Sequence, residues 1–295
     1  MDRIQCEVFF AAAEQGSFTA AAEQLGYTQS GITRIIGKME EELGFALFIR
    51  TKQGVRLTEN GRIMLPQLRA LALASRNVEE LSAEIKGSVS GVLTIGSYYS
   101  VSAMWMPVIL KRYRSLYPGV TIRMQEGGNR EMSRWLAERS VDLCFCAEPR
   151  EKEVDWIPIC RDDILAWLPK THPLAGAAAY PVRELENEPF IHTSPKKDTE
   201  LDRMIEKLDL HLSTVFSTRD AFTTYNMVAM GLGVSFNQRL ISRKWSGDVA
   251  ELPFDPPQQL SLGLAAPSLE SASPAAGRFI ELVKKMAAEP QGFLY

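Results

Sequence analysis

The chain is poor in the residues that most catalytic chemistry requires. Its 295 residues include three histidines and four cysteines. His172, His192 and His211 stand in no dyad or triad spacing, and no glycine-rich phosphate loop is present, which argues against an enzyme. Cys6, Cys144, Cys146 and Cys160 are too few in so long a chain to form a disulfide framework. No stretch approaches the ~18 consecutive apolar residues of a membrane-crossing helix. The segment Met1-Asp2-Arg3-Ile4-Gln5-Cys6-Glu7 carries acids where a secretory leader carries only bases, so the expectation is a cytoplasmic protein with no membrane partner. Positive charge is not in excess either: 33 Lys and Arg stand against 36 Asp and Glu, a formal net charge of −3. Taken as a total, that balance disfavours a nucleic-acid binder.

What is present is the composition of a globular protein, 45% hydrophobic and 23% charged, long enough for at least two domains. The first sixty residues read as short helices. Ile4, Val8, Phe9, Ala12 and Ala13 form one apolar face, and Gly16 stops that helix. Ser17 is placed to cap a second helix, Phe18 to Leu25, which Gly26 ends. A third begins near Thr28 to Ser30 and runs to Leu43, with Gly44 as its stop. Phe45 to Arg50 and Val55 to Thr58 are extended segments around Thr51-Lys52-Gln53-Gly54, a small hairpin whose glycine takes a positive φ. Thr58 then caps a long helix from Glu59 to about Lys86, which Pro66 should kink or loosen early. Within it Met64, Leu68, Leu71, Ser75, Val78, Ser82 and Ile85 alternate at four and three residues. That pattern suggests a coiled-coil seam, with Met64, Leu68, Leu71, Val78 and Ile85 as dimerisation residues.

After the flexible stretch Gly87-Ser88-Val89-Ser90-Gly91 the texture becomes alternating strand and helix. Strands are expected at Val92–Gly96, Val120–Glu126 and Val141–Ala147, with helices at Ser102–Tyr117 and Glu131–Arg139 between them. That order implies a parallel sheet with right-handed crossovers. Further strands are expected near Asp163–Leu168, Phe190–His192 and Gly233–Phe236. Helices are expected near Thr199–Leu208, Ala221–Met230 and Ala275–Ala288.

Helix, short helix, tight turn, longer helix and hairpin describe a winged helix-turn-helix, whose third helix fits a DNA major groove about 12 Å wide. The start of that helix offers Thr28, Gln29, Ser30, Thr33 and Arg34. Gln pairs bidentately with adenine, Arg with guanine, and hydroxyls with phosphates or base edges. Residues 1–60 hold six bases and eight acids, yet Leu43 to Thr58 contains three bases and no acid. Glu40, Glu41 and Glu42 cluster at the end of the helix away from the bases it would read.

These residues carry a resemblance. Phe9 to Leu25, Thr28-Gln29-Ser30-Gly31-Ile32-Thr33, Met39-Glu40-Glu41-Glu42-Leu43-Gly44, Leu47-Phe48-Ile49-Arg50 and Leu57-Thr58-Glu59-Asn60-Gly61 resemble the N-terminal signature of LysR-type transcriptional regulators. Looser similarity continues through Tyr117-Pro118-Gly119-Val120, His172-Pro173-Leu174 and Gly231-Leu232-Gly233. Carried over position by position, the family's DNA contacts fall on Ser17, Thr19, Thr28, Gln29, Ser30, Thr33, Arg34 and Lys38, with Arg50, Lys52 and Arg56 from the wing. The chain departs from the pattern at Ser30-Gly31, where Pro-Ala is more usual. It also places Gly37 inside the third helix, at a cost of roughly 1 kcal/mol relative to Ala.

The resemblance implies three parts: a winged helix-turn-helix at 1–58, a linker and dimerisation helix at 59–90, and an effector domain at 91–295. The last would be periplasmic-binding-protein-like, with α/β lobe I at 91–161 and 267–295 and lobe II at 162–266. Open α/β sheets bind ligands beyond the carboxyl ends of their strands. Those ends supply Ser97, Tyr98, Tyr99, Ser100, Val101, Gly128, Asn129, Cys146 and Glu148 from lobe I. Lobe II supplies His192, Thr193, Ser194, Asp220, Phe222, Phe236 and Asn237, the last where the family typically has Pro. Hydroxyls, amides and helix N-termini suit a carboxylate, and the aromatic side chains suit an apolar or aromatic body. Cys144 and Cys146 point to one face of a strand; with only Cys160 as a spatial third they read as buried cysteines rather than a redox or metal site. No metal or other cofactor is expected. The expected partners are double-stranded promoter DNA, a small-molecule effector, further copies of the chain as a dimer or tetramer, and RNA polymerase as a further candidate. The competing reading is a cytosolic small-molecule-binding protein whose N-terminal helices serve only dimerisation.

Overall fold

The computed structural model describes residues 1–150, 154–195, 198–290 and 293. Three helices open the chain: α1 (Arg3–Gln15), α2 (Phe18–Leu25) and α3 (Gln29–Leu43). Each boundary follows from local chemistry. Gly16, Gly26 and Gly44 close the helices in the left-handed region, at φ 60°, 71° and 77°. The side chains of Ser17 and Thr28 accept the amides of Ala20 and Gly31, capping α2 and α3. Ile32, Ile36 and Met39 of α3 are buried against Phe9, Ala12 and Phe18, a small core completed by Leu47, Phe48 and Val55. Burying each of the larger side chains contributes roughly 1.5–3 kcal/mol.

The wing is the hairpin β1 (Phe48–Thr51) and β2 (Gly54–Leu57), paired from Phe48↔Leu57 to Thr51↔Gly54. It is tied down at both strands. Glu40 of α3 turns its carboxylate inward, where Oε1 accepts the amides of Leu47 at 2.6 Å and Phe48 at 3.1 Å. On the other strand the Val55 amide donates to the Gly16 carbonyl at 2.7 Å. That approach requires glycine at position 54, which has φ +126° and where a Cβ would lie 2.1 Å from the Gly16 oxygen. Gly37 is the opposite case, with open space where its Cβ would be. Gly54→Ala is therefore expected to destabilise the N-terminal domain by about 2 kcal/mol or more. Gly37→Ala should stabilise it by roughly 0.5–1 kcal/mol. Thermal unfolding of the two variants checks the pair; equal shifts would contradict the wing geometry.

Thr58 caps the linker helix α4 (Glu59–Ile85), which runs through Pro66 without interruption. The second domain follows with β3 (Ser90–Ser97), α5 (Tyr99–Met104), α6 (Met106–Leu116), β4 (Gly119–Glu126), α7 (Asn129–Ala137), β5 (Leu143–Ala147) and β6 (Asp155–Pro169). It continues with β7 (Tyr180–Pro181), β8 (Pro189–Thr193), α8 (Glu200–Lys207), β9 (Ser213–Thr218), α9 (Ala221–Ala229), β10 (Ser235–Gln238), α10 (Arg239–Ser242), β11 (Val249–Ala266) and α11 (Pro274–Ala288). The main sheet has the order β10-β6-β11-β5-β3-β4. Its β3–β4 and β3–β5 pairs are parallel as expected, but β11 runs antiparallel to β5 and to β6, and β10 antiparallel to β6. The sheet is thus mixed rather than parallel.

The long strands β6 and β11 pass from one lobe to the other. Ile157–Cys160 pairs with Leu262–Leu264 beside β5, whereas Ile164–Pro169 pairs with Val249–Gln258 beside β10. Leu262–Ala266 accordingly belongs with lobe I, and the second crossing comes a few residues before the expected 266/267 boundary. Lobe II carries a second, parallel sheet of β8 and β9. Where one helix was expected over Ser102–Tyr117 there are two. The chain turns at Trp105, because Pro107 in the first turn of α6 cannot continue the hydrogen-bond ladder of α5.

Candidate nucleic-acid interface and effector cleft

The face of α3 opposite Ile32, Ile36 and Met39 is exposed, and it carries Gln29, Ser30, Arg34 and Lys38, with Thr28 before them and Thr33 half-buried among them. The bonds within this set are local: Thr28 Oγ1 to Ser30 Oγ at 3.1 Å, Gln29 Nε2 donating to Thr33 Oγ1 at 3.2 Å, and the Thr33 hydroxyl donating to the Gln29 carbonyl at 3.0 Å. Thr19 is exposed on α2, and Ser17 is occupied by its capping bond. On the wing Arg50, Lys52 and Arg56 are all exposed. The Arg50 guanidinium lies over the Phe18 ring, 5.9 Å from its centroid, which holds the wing against α2. Among the described residues none of Arg34, Lys38, Arg50, Lys52 and Arg56 takes part in an ion pair. Five exposed cations on α3 and the wing thus have no ion-pair partner among the described residues, and α3 adds amide and hydroxyl groups. Sequence reasoning missed the role of Glu40, because its wing partners are backbone amides that no residue type reveals.

The proposed dimer seam divides in two. Leu68 is 1% exposed and, with Met64 and Leu65, packs into the core of the N-terminal domain. It is therefore not available to a second chain: the 4-3 spacing is real, but this part of α4 faces α1. Leu71, Val78 and Ile85 are exposed, the last two at 70% and 80%.

At the seam between the lobes the expected residues separate into three groups. The first bridges or lines the seam. The buried Tyr98 hydroxyl donates to Asn129 Oδ1 and accepts the Ala147 amide at 3.1 Å. The Asn129 amide donates across to lobe II, to the Asp198 carbonyl at 2.5 Å and Glu200 Oε1 at 2.9 Å. Ser100, also buried, accepts Gln238 Nε2 from lobe II. Thr193 and Thr224 exchange a hydroxyl bond of 2.7 Å, and Asn237 Oδ1 accepts the Gln238 amide at 2.9 Å. Burial pushes the Tyr98 hydroxyl far above its usual range, with Glu200 adding to the shift, so this tyrosine is a neutral donor. Gln238, Glu200, Asp198 and Thr224 were missed, since only the folded chain brings them to lobe I or to Thr193.

A second group lies in the hydrophobic core rather than in the cleft. Phe236 is fully buried, because β8 and β11 bring the rings of Phe190 and Phe254 onto it at centroid distances of 5.5 and 5.8 Å. Val101 is fully buried on the inner face of α5, and Cys146 is buried in β5. The Ser97 hydroxyl is buried and donates to the Tyr98 carbonyl at 3.1 Å. A third group is exposed or occupied locally. Tyr99 and Glu148 are exposed, and Phe222 is 51% exposed against Trp245 at 5.1 Å. Asp220 caps α9, Gly128 donates its amide to Glu131, and the Ser194 hydroxyl donates to the Arg219 carbonyl at 3.1 Å.

An open depression of about 550 Å³ lies beside the Asn129 bridge, lined by Arg130, His192, Pro195, Asp198, Asp202, Glu206 and Thr214. His192 Nε2 lies 3.0 Å from Asp202 Oδ1; burial lowers its pKa, and the carboxylate offsets part of that. Arg203 holds Asp198 below the ordinary carboxylate range. Burial raises the pKa of Cys144 well above its ordinary value and pushes Cys160 up to about 12, so neither favours the reactive thiolate. Among the described residues no group of three or more His, Cys, Asp and Glu could hold a metal ion, and no helix is long and apolar enough to cross a membrane.

A winged helix-turn-helix with exposed bases on its third helix and wing, a linker helix and a two-lobed α/β domain define a DNA-binding regulator with a ligand-binding module. Residues 4–62 match the model of the bacterial regulatory helix-turn-helix protein, lysR family, and residues 86–288 that of the LysR substrate binding domain. The chain belongs to the LysR family of transcriptional regulators. It is 31% identical to the HTH-type transcriptional regulator YvbU of Bacillus subtilis, over 96% of this chain and 97% of that one. It is 30% identical to the probable regulator LrrA of Synechococcus elongatus, over 98% of each. Among solved structures, a full-length OxyR variant from Pseudomonas aeruginosa superposes with TM-score 0.78 at 22% identity, covering 97% of both chains. CbnR complexed with its target DNA superposes with TM-score 0.55 at 20% identity, covering 97% of this chain and all of that one.

Proposed function

We propose that this regulator binds promoter DNA as a homodimer, in the cytoplasm and without a catalytic step. Gln29 and Arg34 read bases, and Lys38, Arg50, Lys52 and Arg56 hold phosphates. The observation that carries the reading is the set of five unpaired bases on α3 and the wing, beside a carboxylate, Glu40, that is turned away and bonded inward. Two recognition helices joined through the exposed Leu71, Val78 and Ile85 of α4 suit a two-fold DNA site. The effector is a small molecule that enters between the lobes and competes for the polar groups of Tyr98, Ser100, Asn129, Thr193 and Gln238. Its binding biases lobe closure, and through it the geometry of the paired recognition helices.

Fluorescence anisotropy on duplexes from the chain's own upstream region tests this. A dimer using six to ten phosphate contacts is expected to lose about 10³–10⁵ in affinity between 50 and 200 mM salt. Binding that is absent, or insensitive to salt, would instead favour a small-molecule-binding protein whose helices only dimerise it.

A further inference from the structure

Helix α7 is bonded at both ends to parts of the molecule outside its own lobe. Asn129, its first residue, is joined across the seam to Asp198 and Glu200 of lobe II. Glu138, the residue that closes it, receives Arg69 Nη1 of the linker helix twice, on its carbonyl oxygen at 2.9 Å and on Oε2 at 3.0 Å. The same guanidinium lies over the ring of Phe10, 5.8 Å from its centroid, and Phe10 belongs to α1 of the DNA-binding domain. Between its ends α7 is held by Met132 and Leu136, both buried in the core of lobe I. Trp135 packs so closely over β3 that a Cβ on Gly96 would lie 3.1 Å from its ring.

We propose that α7 is a strut between the inter-lobe seam and the DNA-binding domain, with Arg69 and Glu138 as the positioning residues at its linker end. The inference rests on the reading that α3 and the wing bind DNA. A helix of nine residues is about 13 Å long, and one so tightly packed moves as a body rather than deforming. Opening the lobes breaks the bonds from Asn129 to Asp198 and Glu200, and α7 then settles by its contacts within lobe I alone. Any tilt or axial shift appears at Glu138, where the negative end of the helix and the carboxylate together hold Arg69. Arg69 cannot follow Glu138 and also stay within about 6 Å of the Phe10 ring. Loss of that contact releases one of the ties between α4 and α1, leaving the packing of Leu68 and the Arg3–Glu79 ion pair to set a new orientation of α1, with α3, on α4. The other ion pairs from α4 to lobe I, Arg76–Asp142 and Glu84–Arg278, end on α4; the one through Arg69 continues to α1.

A double-mutant cycle on the full-length chain tests the strut without knowledge of the effector. Asn129→Ala perturbs the seam end and Glu138→Gln the linker end, and the readout is the dissociation constant for one duplex from the upstream region. Asn129→Ala alone is expected to change that constant about fivefold. In the Glu138→Gln background the same substitution is expected to change it by less than about twofold. Arg69→Lys, which keeps the charge but not the fork or the stacking, provides a second cycle with the same expectation and decides the matter where Glu138→Gln fails to fold. An Asn129→Ala effect that persists undiminished in both backgrounds, or no effect at all, overturns the strut. A parent chain that binds no duplex overturns the DNA reading itself, and is distinguished by that single measurement.

Discussion

Replacing Gln29 and Arg34 together with alanine is expected to weaken specific DNA binding by a factor of at least about thirty while leaving the fold intact. Each bidentate pair between such a side chain and a base edge is worth about 1–3 kcal/mol of discrimination, so the two together supply about thirtyfold at the low end. Stability should hardly move, because both residues are exposed and the Gln29–Thr33 bond is a local surface interaction. Alanine is also the better helix former. The loss should be sequence-selective, falling on the chosen duplex and sparing random DNA. Lys52→Ala provides the contrast: on the proposal that this wing ammonium holds a phosphate, all duplexes should bind more weakly alike and the salt slope should fall by about one. Anisotropy titrations on specific and random duplexes distinguish the two patterns. Specific binding retained by the double variant would remove α3 as the reading element.

The DNA-binding half was legible in the sequence because its structure is decided locally. Gly16, Gly26 and Gly44 take left-handed φ values that other residues resist, and Ser17, Thr28 and Thr58 supply caps three residues from the amides they bond. The net charge of −3 misled only as a total: five bases on α3 and the wing are exposed, while Glu40 of α3 is bonded to the backbone amides of Leu47 and Phe48. The effector half was legible as a succession of elements but not as a site. Strand β11 contains Pro253, Pro256 and Pro257, which read as strand breakers. It survives as a strand because its register shifts between Pro253 and Gln258, an accommodation set by its partner β6. Strand β9 is exposed along most of its length, so it has no alternation of burial to detect. Phe236 fits an aromatic cleft wall by position, yet Phe190 and Phe254 enclose it from strands far away in the chain. The bridges Asn129–Glu200 and Ser100–Gln238 join residues 71 and 138 positions apart, and only the crossing strands bring them together.

Arg76→Met is expected to destabilise the effector domain by about 3 kcal/mol at pH 8, and by distinctly less at pH 5. Arg76 stands between two buried acids where α4 meets lobe I. It donates to Asp142 Oδ1 at 2.6 Å and lies 3.4 Å from Glu80 Oε1. Asp142 also accepts the Thr94 amide at 2.7 Å, and Glu80 is pressed so closely on Gly91 that a Cβ there would lie 2.1 Å from its oxygen. Burial raises the pKa of both acids; Arg76 lowers both, Asp142 raises that of Glu80, and the Thr94 amide on one side and Ser273 and Val92 on the other lower them further. Removing one member of a buried ion cluster costs about 3–5 kcal/mol, and since Arg76 keeps 31% of its side chain exposed the lower end applies. The sign of the pH dependence follows from the raised pKa values. An acid whose folded pKa lies above its unfolded one contributes stability that is present at low pH and lost as pH rises through the folded value. Without Arg76 both folded values rise further, so the deficit grows with pH and shrinks on acidification. Denaturant unfolding of the parent and variant at the two pH values checks this, and a deficit equal at both would show that Arg76 acts through packing instead. Adding Glu80→Gln to Arg76→Met removes one of the two stranded charges and should flatten the pH dependence. If it does, the junction between linker helix and lobe I is held by the balance of these three charges rather than by the apolar contacts around them.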